Sequence, residues 1–364
     1  MAERAEDALF ALCSRVWRGD AEQVLEVVTR DEAFAARWAA YEGWRVLAAA
    51  LLLKLGKLDA ATERIEQLQQ SRLVAAKVLC AIVTFEWNER STAVDMLHKL
   101  LAVLREHRAK AAGEAESAAA EGSKGSLLDM MGQPLTSAGA SEWRLRITSL
   151  LVSCYASSGD YALAIDLCEQ ELATCSDVET CAVLLHTGRV RLQVGDLEGA
   201  RDVLGKLKCH ELKTWTEEVG ARILEGMTLY AECKYQTALE LFGRLRDDCA
   251  KANAGDEPYL PDHMLAAIID IQEPLEVTLA NNYALCSLHV CDLGGAIEVL
   301  EACIHKDPRR NLHRAVVFNL CTLYDLAKPK DQSQVAKLKI KELAEQFGVQ
   351  ARFDDVVDLR LSQQ

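Results

Sequence analysis

The most enzyme-like residues of this chain are Cys286, His289 and Cys291. On a helix, Cys286 and His289 at i and i+3 share a face, which would supply half of a tetrahedral zinc site. No second CxxC or HxxxH pair stands ready to complete four ligands, so the spacing favours ordinary packing in a helix. A thiol–imidazole nucleophile pair is assembled in space and leaves no local signature. Gly205-Lys206 lacks the Ser or Thr that follows in a phosphate-binding loop, and it falls inside a helical pattern. The doublets Asp247-Asp248 and Asp354-Asp355 read as solvated helix ends. No catalytic, cofactor-binding or metal-binding residue is assigned, and the chain reads as a non-enzymatic protein that needs no cofactor.

A second chemistry is recognition of charge. Lys306, Arg309, Arg310, His313 and Arg314 surround a turn at Pro308 and stand out against a formal net charge of −14. With Asn281 and Asn282 they suggest a groove that grips an acidic C-terminus, which needs Lys, Asn and Arg from several successive helices. The neighbouring helices lack the matching set. Three readings therefore stay open: a carboxylate clamp, a patch that meets an acidic neighbouring subunit, or a solvated turn. These seven residues are the candidate protein-binding set. The acidic balance speaks against nucleic acid or an anionic membrane surface as the principal partner.

What must position these residues is a repeat. A hexapeptide of turn residue, polar residue and, five positions from its start, a small residue recurs as GDAEQV, GKLDAA, NERSTA, GDYALA, GDLEGA, CKYQTA and CDLGGA. These begin at 19, 56, 88, 159, 195, 233 and 291. Four of the six steps lie between 32 and 38 residues, the period of stacked helical hairpins of the tetratricopeptide (TPR) type. Gly at the turn can take the left-handed conformation that closes a helix, and the following Asp can cap the next one. The small residues Ala61, Ala93, Ala164, Ala200, Ala238 and Ala296 then sit where two helices cross closely. Gly188, Gly226, Ala284 and Ala49, seven positions before a turn, do the same on the first helix. The fold class expected is all-α: a TPR-like solenoid of stacked antiparallel hairpins.

The two long steps mark insertions. Residues 110–141 hold 18 Ala, Gly or Ser in 32 positions, the composition of a mobile loop. The loop carries an apolar island of Leu127, Leu128, Met130 and Met131, for which collapse onto the fold or docking to a partner are the two readings. Residues 250–274, bracketed by Pro258, Pro261 and Pro274, form a second insertion. The expected organisation is hairpin repeats over 1–109, the loop, a TPR solenoid over 142–347, and a tail over 348–364. The start MAERAEDALF lacks a signal-peptide core, and the longest apolar run, Val46–Leu53, is too short to span a bilayer. A soluble, cytosolic protein with reduced thiols at its 13 scattered cysteines is expected.

The C-terminal half carries a resemblance. NNYALCSLHVCDLGGAIEVLEACIHKDPRRNLHRAVVFNLCTLYDL, residues 281–326, resembles the closing repeats of the TPR-containing subunit of the TRAPP trafficking complexes, designated subunit twelve. The carriers are Asn281-Asn282 with Ala284, Leu300-Glu301, Asp307-Pro308-Arg309, Leu312-His313 and the run Val317–Leu326. GRVRLQVGDLEGAR at 188–201 and Trp143-Arg144 are similar to that family as well, whereas 250–274 departs from it. The resemblance implies a non-catalytic scaffold subunit of a vesicle tether that acts as exchange factor for a Rab-family GTPase. Its partners would be core and TRAPPIII-type accessory TRAPP subunits. It would work in endoplasmic reticulum-to-Golgi traffic and autophagy, in the cytoplasm and peripherally on intermediate-compartment and Golgi membranes. The alternative is a free-standing TPR adaptor or co-chaperone that captures short peptide segments.

Overall fold

The computed structural model describes residues 21–30, 42–55, 57–113, 127–129, 132–175, 177–210, 212, 214–252 and 275–347. Their regular structure is helical. It starts with α1 (Ala21–Arg30), α2 (Gly43–Lys54), α3 (Leu58–Glu66), α4 (Val74–Glu86) and α5 (Arg90–Gly113). Then come α6 (Ser137–Ser158), α7 (Tyr161–Leu172), α8 (Asp177–Gln193), α9 (Leu197–Cys209), α10 (Trp215–Ala231) and α11 (Tyr235–Ala252). The last are α12 (Leu275–His289), α13 (Leu293–Lys306), the short α14 (Pro308–Asn311), α15 (Arg314–Ala327) and α16 (Lys330–Gln346). The architecture is an all-α, TPR-like stack of antiparallel hairpins.

The turn residue of the repeat sets the hairpins. Asn88, Gly159, Gly195, Cys233 and Cys291 all have positive φ, from 62° at Cys233 to 81° at Gly159. Each closes its helix with the same pair of bonds. The turn N–H donates to the carbonyl three residues back, and the next N–H donates five back, as in Cys291→Leu288 (3.1 Å) and Asp292→Ser287 (2.9 Å). This double closure satisfies carbonyls that a helix end leaves open. The following Asp then caps the second helix at two turns. Asp196 Oδ1 accepts from Gly199 N–H at 2.8 Å and Asp292 Oδ1 from Gly295 N–H at 2.9 Å. Asp160 makes no such bond. Further into the second helices, Ala61, Ala93, Ala164, Ala200, Ala238 and Ala296 have no exposed surface at all.

Contacts divide the chain into two units, with the boundary along the chain between Val190 and Arg191, inside α8. Within the first unit α5 and α6 pack along each other, with Leu97, Leu101 and Leu104 in one core with Ala140, Trp143, Ile147 and Leu151. α5 runs to Gly113 and α6, capped by Thr136, begins at Ser137. Residues 114–126, Met130 and Met131 lie outside the described residues, as do the insertion at 253–274 and the tail at 348–364. Leu127 and Leu128 lie back on the first unit. Leu128 N–H donates to Arg72 C=O (3.0 Å), Val74 N–H to Leu128 C=O (3.1 Å), and the Leu127 side chain is buried.

A buried ion network ties four helices of the first unit. Glu171 of α7 receives Arg144 of α6 and Arg105 of α5, and Arg144 Nη2 stands 2.8 Å from Glu179 of α8. Arg144 and Glu171 are essentially without exposed surface. The second unit has two cores. One is built on Phe242 and Leu245 of α11 with Leu279 and Cys286 of α12. The other joins α12 and α13 to α15 and α16 through Leu300, Val317, Leu320 and Ile340.

Candidate protein-interaction surface

In the second unit the first helices of successive hairpins, α10, α12 and α15, are neighbours: α10 touches α12 and α12 touches α15. On α12, Val277, Ala280, Ala284 and Ser287 are buried. Thr278, Asn281, Asn282, Leu285, Leu288 and His289, spaced by three and four, form the opposite, solvent-reached stripe. On α15 the same register gives Ala315, Phe318, Asn319, Thr322, Asp325 and Leu326. On α10 it gives Gly220, Met227, Tyr230 and Ala231 at the surface, with Ile223 and Leu224 of the same register buried. Side chains tie the stripes together across helices. Asn319 Nδ2 donates to Asn281 Oδ1 at 2.7 Å, and Tyr230 Oη lies 2.8 Å from His289 Nε2. The His289 ring also stacks on Tyr235, with centroids 4.2 Å apart and planes 11° from parallel.

Five of the seven candidate side chains lie among the described residues, and each has its own surroundings. Lys306, at the end of α13, is engaged by Glu276 of α12 at 2.7 Å. Arg309 and Arg310 belong to α14, and their side chains lie outside the described residues. His313 is the N-cap residue of α15 with extended backbone, and Arg314, its first helical residue, is exposed. Asn281 turns to Asn319, while Asn282 is half-buried on the stripe. Of the 16 stripe positions only Asp325 is charged, and it is held by buried Lys337 of α16 (2.8 Å) and by Ser333 (2.6 Å). The Lys and Arg that a carboxylate clamp needs are not on these helix faces.

The metal-like group is likewise separated. Cys286 is fully buried, and burial pushes its thiol up to about 11; a thiol that keeps its proton is a poor nucleophile and ligand. His289 is exposed and engaged by Tyr230, and Cys291 forms the turn. Among the described residues no group of three or more His, Cys, Asp or Glu is arranged to hold a metal ion. No helix among them is long and apolar enough to cross a membrane.

Sequence reading missed how the run Val317–Leu326 divides its labour. Val317, Leu320, Leu323 and Tyr324 are buried, with the Tyr324 hydroxyl donating to Glu301 at 2.6 Å. Burial and that carboxylate raise the Tyr324 phenol well above its ordinary value. Asn319 and Asp325 make the contacts above. Phe318 and Leu326 instead stay 40% and 61% exposed. It also missed Asn311, which is buried and donates to the Cys303 carbonyl at 2.7 Å, fixing the turn beside the basic residues. No signal short of the helix faces would have found either.

No family model matches the chain. Over 199 residues, 54% of this chain and 22% of the relative, it is 26% identical to trafficking protein particle complex subunit 12 of Mus musculus. Over 195 residues, 53% of this chain and 23% of the relative, it is 24% identical to the Homo sapiens protein of that name. The matched region thus spans less than a quarter of these relatives. Among solved structures, the APC/C hetero-tetramer Cut9–Hcn1 aligns with a TM-score of 0.44 at 11% identity, covering 94% of this chain and 52% of that one. The Chs5–Bch1 exomer cargo adaptor complex aligns at 0.39 and 12% identity, covering 88% and 60%. Over about half of its length the chain is similar in sequence to trafficking protein particle complex subunit 12.

Proposed function

We propose that the chain is a non-catalytic scaffold subunit of a TRAPP vesicle-tethering and Rab-exchange complex. It acts in endoplasmic reticulum-to-Golgi traffic and autophagy through protein contacts of its TPR solenoid. The observation that carries the reading is the similarity to trafficking protein particle complex subunit 12 over more than half of the chain. A stack of hairpins that offers extended helix faces agrees with it. The partners are core and TRAPPIII-type accessory subunits, with a Rab-family GTPase reached indirectly. Its place is the cytoplasm, peripherally at intermediate-compartment and Golgi membranes. Affinity purification of the tagged chain from its own cells, with mass spectrometry, tests this. Recovery of small core TRAPP subunits near equal abundance supports the reading, and their absence overturns it in favour of a free-standing adaptor.

A further inference from the structure

We propose that the turn Arg72–Val74, between α3 and α4, is a slot that accepts an extended strand. The chain closes it with its own Leu127–Leu135 stretch, and a partner segment of the same chemistry takes that place. The inference is independent of the scaffold reading and of the helix faces above, since it rests on a turn of the first unit. Leu73 is buried with extended backbone, φ −69° and ψ 128°, and its N–H donates to the Ser71 hydroxyl oxygen at 3.1 Å. The groups on either side, Arg72 C=O and Val74 N–H, are left for a neighbouring strand. Leu128 engages both, at 3.0 and 3.1 Å, as one residue does in a parallel ladder. Val74 opens α4, so its N–H is one of the donors that a helix leaves unsatisfied at its start. The turn is therefore complete only with an extended chain beside it.

The resident stretch is built to come away as a unit. Leu135 N–H donates to Leu127 C=O (3.1 Å), Asp129 N–H to Gln133 C=O (2.9 Å) and Gly132 N–H to Asp129 C=O (3.1 Å). Asp129 Oδ1 also accepts from Gln133 N–H at 2.8 Å. These bonds stay within the small hairpin. Among the described residues two backbone bonds join it to the slot, helped by the burial of Leu127 and Leu135. Its outer strand pairs Pro134 with Leu128, and a proline has no N–H with which to accept a further strand. Strand exchange is thereby confined to Arg72–Val74.

The slot also sets what a partner must carry. Leu127 is buried and Leu128 half-buried, which calls for two adjacent apolar residues on an extended backbone, one to each side. The charged residues between 67 and 85 are Arg72 and Lys77, and the hairpin sets Asp129 next to its leucines. The partner segment is accordingly neutral to acidic.

The test adds a fluorescent peptide of residues 126–136, SLLDMMGQPLT, to the full chain and reads its anisotropy. Tethering gives the resident hairpin an effective concentration on the order of millimolar, so opening the slot with Leu127→Asp and Leu128→Pro should tighten peptide binding at least about tenfold. The peptide carrying those same two changes should not bind. A peptide library panned on the opened chain should return adjacent Leu, Ile or Val without an excess of Lys or Arg. Circular dichroism and thermal unfolding establish whether the opened chain is folded. A folded opened chain that binds nothing, that binds a scrambled peptide equally well, or that selects basic segments overturns the proposal. Should the opened chain not fold, amide hydrogen exchange on the native chain decides. Saturating peptide should speed exchange at Leu128 and leave Val74 protected, and unchanged exchange at Leu128 overturns the proposal.

Discussion

The ring of Phe242 occupies the place where a side chain on Gly226 would begin: a Cβ there would stand 2.5 Å from Phe242 Cζ. Gly226 sits on the first helix of its hairpin, Phe242 on the second, and Phe242 is 1% exposed. The ring therefore has no room to withdraw. Gly226→Ala gains roughly 1 kcal/mol of helix propensity but overpacks the crossing, at a cost of about 1–3 kcal/mol or more. A net loss of stability is expected in urea denaturation. Phe242→Leu should restore part of it in the double variant, and strict additivity of the two changes would show that the residues do not meet.

Cys233 and Cys291 hold left-handed backbone at φ 62° and 68°. A non-glycine residue there gives up about 1–2 kcal/mol, while glycine loses roughly 0.5–1 kcal/mol of chain entropy. Cys291→Gly should therefore stabilise by up to about 1 kcal/mol, and Cys233→Gly likewise. A lower midpoint in thermal unfolding would mean that the thiols contribute more than the turn geometry allows.

Arg144 is the centre of the buried network with Glu171 and Glu179. Arg144→Met removes the buried guanidinium beside Glu179 and leaves Glu171 to Arg105 alone, and a loss of about 3–5 kcal/mol is expected. Adding Glu171→Gln and Glu179→Gln should recover much of that loss. Failure of the triple variant to recover would show that shape, not charge, governs the site.

His186 of α8 has its imidazole lowered to about 4, chiefly by burial and secondarily by the Arg189 guanidinium. The folded chain thus holds it neutral, while the unfolded chain protonates it near its ordinary value of about 6.5. Its contribution is fully present above that pH and is lost as pH falls toward 4, at no more than about 1.4 kcal/mol per unit. His186→Gln should flatten the stability profile between pH 6.5 and 4. An unchanged slope would assign the acid sensitivity elsewhere.

The hairpin register was legible in the sequence because it rests on local chemistry. A left-handed turn residue and a small residue five positions on, as in Gly195 and Ala200 or Cys291 and Ala296, announce themselves within six positions. The Arg144–Glu171–Glu179 network was not legible, since its members are 27 and 35 residues apart and each alone reads as a surface charge. The same holds for Leu128, whose backbone partners are Arg72 and Val74. The basic residues around Pro308 were visible as a cluster along the chain, but Lys306 spends its charge on Glu276, 30 positions earlier. The neutral stripe became readable only once Ala284 and Cys321, both buried, fixed which faces of α12 and α15 remain for solvent.

The repeated closure at Asn88, Gly159, Gly195, Cys233 and Cys291 bears on how the chain reaches its fold. Each closure joins residues at most five apart, and the hairpin it makes has short-range contacts, so the loop entropy to be overcome before packing is small. Nucleation can start at any such hairpin and spread to its neighbours, in the manner of a one-dimensional chain of coupled units. Damage at one crossing, such as that of Gly226 and Phe242, should then fray the stack from that hairpin outward and leave remote hairpins able to form.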